Sequence, residues 1–133
     1  MSITLVEKRH DPTSGKVFVF GSNRAGIHGA GAALYARKLL DATPRVGEGP
    51  MPDKDNPLCY AIPTKDESIN TLSLEEIKKH VDKFIDYAFS RPDLRFFVTR
   101  IGCGLAGYMD RDIAPLFIRA PTNCELPNGW EDM

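Results

Sequence analysis

Val17-Phe18-Val19-Phe20-Gly21-Ser22-Asn23-Arg24-Ala25-Gly26-Ile27-His28-Gly29-Ala30-Gly31 is the stretch whose reading decides the fold. Its first four residues form a continuous apolar run, the pattern of a central strand covered on both faces. Glycine-rich backbone follows directly. Gly31 to Leu40 then reads as helix, with Leu34, Leu39 and small alanines available for packing. A strand that runs into bare backbone and then into a helix start is how α/β proteins hold phosphate. Glycine lets the chain approach the anion, and the helix N-terminus offers unpaired N–H groups and partial positive charge. The arrangement recurs later. The strand Arg95 to Ile101 leads into Gly102-Cys103-Gly104-Leu105-Ala106-Gly107, and Asp110 to Arg119 reads as a short helix with Pro115 near its first turn. Strand ends of a parallel sheet open on the same edge, so two such turns suggest two walls of one phosphate-bearing site.

The rest of the chain fits around these two units. Residues 3–6 suggest an edge strand, followed by a polar turn from His10 to Gly15. Between residues 41 and 57, Pro44, Pro50, Pro52 and Pro57 together with Gly47 and Gly49 exclude a buried helix or strand and predict a long surface loop. Leu58 to Ile62 returns to strand and ends at Pro63-Thr64-Lys65. Ser73 with Glu76 forms a capping box, after which Leu74, Ile77, Val81, Phe84, Ile85 and Ala88 hold one apolar stripe at helical spacing. Arg91-Pro92-Asp93 stops that helix, and residues 121–133 read as loop. Strand and helix alternate, which predicts one α/β domain over residues 1–133 with a mostly parallel or mixed sheet and helices on both faces.

Charge and cysteine usage narrow the function classes. Seventeen Lys and Arg against eighteen Asp and Glu, with no block of like charge, argue against duplex nucleic acid as the main partner. A small anion held by backbone amides needs no such basic face. The three cysteines, Cys59, Cys103 and Cys124, form neither a CxxC pair nor a zinc pattern with His10, His28 and His80. No metal or cofactor is indicated, and a reduced, cytoplasmic setting is expected. The first residues lack an apolar signal core and no run approaches membrane-spanning length, so no membrane partner is expected.

Two familiar phosphate motifs fail on inspection. Gly102 to Gly107 is formally G-x-G-x-x-G, but the dinucleotide version opens its domain and needs a second strand ending in Asp or Glu. Here Ala120 to Cys124 reads as no strand. Gly21 to Gly26 is G-x-x-x-x-G, yet Ile27-His28 stands where a P-loop requires Lys and Ser or Thr.

Taken as a pair, the turns resemble those of the macro domain family. Asn23 through Ala33 (NRAGIHGAGAA) is similar to its first ligand loop and Gly102 through Tyr108 (GCGLAGY) to its second, in order and approximate spacing, over residues 17 to about 119. Arg100-Ile101-Gly102-Cys103-Gly104-Leu105 is most similar to the branch containing terminal ADP-ribose glycohydrolases and ADP-ribose-1″-phosphate phosphatases. The resemblance implies a three-layer α/β/α sandwich lacking the usual early strands. It also implies binding of ADP-ribose or a close derivative, free or on an ADP-ribosylated protein, by Gly21, Ser22, Asn23, Gly26, Ile27, Gly29, Ala30, Gly31 and Ala32 from the first turn. From the second turn it implies Gly102, Cys103, Gly104, Leu105, Ala106, Gly107 and Tyr108. Hydrolysis at the distal ribose is implied for that branch, with Lys65 in the place of its lysine; the alternative is a module that binds and catalyses nothing. The chain departs from the family twice. It has no upstream Gly-Asp-Ile step for adenine, and Ala106 stands where the branch has an aspartate, leaving Asp110 or Asp112 to project from the next helix start.

Individual residues keep two readings each. Asn23 either caps its own turn or touches a ribose hydroxyl. His28 is a general acid or base near pH 7 or an ordinary loop histidine. Lys65 is a catalytic group or a solvated strand-end lysine. Tyr108 closes over the distal ribose or packs in the core. Cys103 reads as a small buried residue.

Overall fold

The computed structural model describes residues 9–133, so the strand expected at residues 3–6 lies outside the described residues. The apolar run 17–20 begins β1 (Val17–Asn23), the centre of a five-stranded mixed sheet. Both its neighbours, β3 (Cys59–Lys65) and β4 (Phe96–Val98), run parallel to it. Two short strands complete the edges: β2 (Gly49–Met51), antiparallel to β3, and β5 (Cys124–Glu125), parallel to β4. The order is β2-β3-β1-β4-β5.

Alternation along β1 divides the core in two. Phe18 and Phe20 join a cluster with Ala33 and Ala36 of α1 (Gly31–Leu39). Val17 and Val19 join the opposite cluster, with Ile77, Val81, Phe84, Ile85 and Ala88 of α2 (Leu74–Ser90), Ile113 of α3 (Asp110–Ile113), and Ala114 and Phe117 of the 3-10 helix Ala114–Phe117. The predicted stripe is the buried face of α2, at about 1.5–3 kcal/mol for each large side chain removed from water. In α1 the alanines do the packing: the phenylalanines of β1 fill the space beneath, and Leu39 is left exposed.

Four expectations change. Residues 41–57 contain β2, with Met51 buried, because Pro50 sits on an edge strand where its missing N–H is tolerated. The helix expected over 110–119 ends at Ile113 and continues as 3-10 geometry, since Pro115 can neither donate nor pack against the carbonyl of Arg111 in an α-helix. The tail is not all loop: it supplies β5 and the 3-10 helix Trp130–Asp132, and Cys124 is in a strand. The cap of α2 works in one direction. Ser73 Oγ accepts the Glu76 N–H at 3.2 Å, while the Glu76 carboxylate pairs with Arg24 and Lys79 instead of the Ser73 amide. Among the described residues no helix is long and apolar enough to cross a membrane.

Candidate functional site

From β1 the chain leaves to the α1 face, whereas from β3 and β4 it leaves to the face of α2 and α3. In an α/β sheet a crevice forms at the carboxyl end of the strand where that direction switches. A cleft of about 500 Å³ lies at that end of β1. Gly21, Ser22, Asn23, Ile27, Gly29, Ala30, Gly31, Ala32 and Ala33 line one side, and Thr64 and Lys65 from the end of β3 also reach it. The other side is Thr99 through Gly102 and Gly104 through Ala106. Both glycine turns therefore face one space.

The surface of that space is mainly apolar, with unpartnered backbone amides among its residues. Ala30 precedes α1 with no side-chain cap, and among the described residues the amides of Gly31, Ala32 and Ala33 have no acceptor. The same is true of Gly102, Gly104, Leu105 and Ala106 in the second turn. Such N–H groups, with the helix dipole behind three of them, suit an anion. Apolar side chains surround the mouth: Leu105 is 77% exposed, Ile27 58% and Ile69 42%.

Several residues implied for the site build its frame, Asn23 from within the lining and others from outside it. Asn23 spends both ends of its amide on Ile27, accepting its N–H at 3.0 Å and donating to its carbonyl at 2.8 Å, so it clasps the turn while lining the cleft. Gly26 is outside the cleft. Its φ is +70°, and a Cβ there would run into the backbone of Arg45 and Val46, so this glycine lets the 41–48 loop lock beneath the first turn. His28 does not line the cleft either. It is buried, with Nε2 at 3.2 Å from the Thr43 carbonyl and 3.1 Å from that of Val46, where it can donate to them, and with Nδ1 lacking a partner. The long loop is thus held by His28 and Gly26 rather than standing over the site.

The second turn is braced the same way. Tyr108 donates its hydroxyl to the Leu72 carbonyl at 2.7 Å and its N–H to Gly102, away from the cleft. Thr71 donates to the Ala106 carbonyl at 3.1 Å. Cys103 and Gly107 are not among the cleft residues. Burial, with the Asp110 carboxylate adding to it, pushes the Cys103 thiol up to about 12, which favours its neutral form.

Of the three candidate catalytic residues, only Lys65 lines the cleft. Among the described residues its ammonium has no ion-pair partner. Asp110 lies outside the lining and faces Arg100, whose guanidinium holds the carboxyl below its usual range and keeps it ionised. The sequence reading missed Thr64, Ile69, Thr99, Arg100, Ile101 and Ala33. Their signal was position: Thr64, Thr99, Arg100 and Ile101 stand at or just past carboxyl ends of parallel strands, the edge on which such sites form. A smaller cavity of about 190 Å³ adjoins the cleft, shares Thr99 and Arg100 with it, and is otherwise lined by Phe97, Val98 and Glu125 through Asn128. Among the described residues no three His, Cys, Asp or Glu side chains gather as a metal site would require.

The fold and site define an α/β protein with a cleft between two glycine turns at the end of its central strand. Compared with models of protein families, with curated proteins and with solved structures, the chain matches none.

Proposed function

We propose that this protein binds ADP-ribose or a close derivative, with the diphosphate between the two glycine turns. The observation that carries this reading is that both turns line one cleft at the end of β1 and both contain amides without acceptors. Diphosphate oxygens supply the acceptors those amides lack. The apolar rim and the adjoining cavity suit the flatter, uncharged parts of such a ligand. Helices on both faces of the mixed sheet support a macro-domain-like three-layer arrangement.

A non-catalytic module that captures the nucleotide is the form the geometry supports best, because His28 and Asp110 stand outside the cleft. The second reading, hydrolysis at the distal ribose, rests on Lys65. An ammonium at that strand end stabilises negative charge developing on a leaving carboxylate or phosphate. Incubation with ADP-ribosylated glutamate substrates and with ADP-ribose-1″-phosphate separates the two. Tight binding without turnover supports the module; turnover abolished by Lys65→Ala establishes the hydrolase. Absence of ADP-ribose binding up to millimolar concentration removes both.

A further inference from the structure

Arg100 stands where the two cavities meet, lining the glycine cleft and the smaller cavity against the tail. Its guanidinium is clamped in plane: Nε donates to Asp110 Oδ1 at 2.9 Å and Nη2 to Oδ2 at 2.9 Å. Asp110 is itself held, accepting the Trp130 indole N–H at 3.0 Å. Trp130 is 2% exposed and packs against Phe117 with ring centroids 5.5 Å apart, so the last link of the chain is anchored in the core. Yet the Arg100 side chain remains 49% exposed. A long side chain recruited by a ligand loses rotamer freedom on binding; one fixed during folding has already lost it.

The sheet order adds a second constraint. Lys65 ends β3 and Arg100 follows β4, so the two cations flank the carboxyl end of β1, where the glycine turns converge. That placement puts positive charge on both sides of the site proposed for the diphosphate. We propose that Arg100 is a phosphate-contacting residue of the cleft and that Asp110 and Trp130 are positioning residues that fix its planar fork. The proposal rests on the reading that a diphosphate ligand occupies the cleft. It makes the C-terminal segment part of the binding apparatus.

Calorimetric titration of the full chain with inorganic pyrophosphate and with ADP-ribose tests it, alongside melting temperatures. Arg100→Lys keeps a cation for Asp110 but loses the bidentate fork. It is expected to melt like the wild type and to bind both ligands at least fivefold more weakly. Trp130→Phe keeps a ring against Phe117 and removes the donor, with an expected three- to tenfold loss for both ligands. A purely structural ion pair would alter melting and leave affinity alone. Variants that bind within twofold of the wild type overturn the proposal while the ADP-ribose reading stands. A wild type that binds pyrophosphate but not ADP-ribose sinks that reading, and the Arg100 assignment is then decided by the variants on pyrophosphate. A wild type that binds neither overturns both.

Discussion

Gly104→Glu is the substitution that acts most cleanly on the cleft. A Cβ built at Gly104 meets no heavy atom within 4 Å, and the backbone there is not left-handed. The fold should therefore change by no more than about 0.5 kcal/mol, the range of a surface substitution. The carboxylate, however, would stand among the amides of Gly102, Gly104, Leu105 and Ala106, where a diphosphate is proposed to sit. Two like charges about 4 Å apart repel by about 4 kcal/mol at an effective dielectric of about 20, and salt reduces this. A penalty of roughly 2–4 kcal/mol raises the dissociation constant roughly 30- to 1,000-fold. Calorimetry with ADP-ribose, paired with thermal melts, reads both quantities. Gly104→Gln supplies the bulk without the charge and should lose much less affinity. A stable Gly104→Glu protein that binds within threefold of the wild type refutes the placement of the diphosphate. Equal losses for Gln and Glu would refute the electrostatic part of the reasoning.

Other perturbations test the frame around the site. Phe84→Ala empties the centre of the ring cluster with Tyr60, Phe96 and Phe117, and urea denaturation should show a loss of about 3–5 kcal/mol. Gly26→Ala places a Cβ against the Arg45 and Val46 backbone at positive φ, with an expected loss of about 1–3 kcal/mol or more in the same assay; an unchanged midpoint would contradict the interlock. Burial pushes the partly exposed Cys103 and Cys124 thiols up to about 12, so alkylation by iodoacetamide at about pH 8 should be much slower than for free cysteine and accelerate as pH rises. Asp110 is held below its ordinary value by Arg100. Its contribution to stability is present above pH 3.8 and lost as pH falls through the lowered value, so Asp110→Asn should flatten the acid limb of the stability profile.

What could be read from the sequence was local. The run 17–20 and the stripe of α2 carry their periodicity in a single window, and β1 and α2 stand there in the structure. β2 and β5 were not legible, because three residues around Pro50 and the pair Cys124-Glu125 become strands only through register against β3 and β4. The same divide runs through the site. That the two glycine turns face one space follows from strand ends opening on one edge, whereas the individual residues Gly29 through Ala32 and Gly104 through Ala106 are named by the macro domain resemblance. Spacing does not show which way a loop side chain turns, so the sequence leaves His28 and Tyr108 with a site reading and a structural reading each, and Asp110 only as a candidate. His28 is used by the 43–46 carbonyls, Tyr108 by Leu72, and Asp110 by Arg100 and Trp130. Each of these partners is distant in sequence or set by a loop conformation that no periodicity encodes.

The central claim is that both turns act as one anion site, and amide NMR during titration with ADP-ribose tests it most directly. The account predicts that the backbone N–H signals of residues 31–33 and of Gly102, Gly104, Leu105 and Ala106 shift together, along a single saturation curve in the micromolar range. Shifts confined to one turn, or none in either up to millimolar ligand, would contradict it.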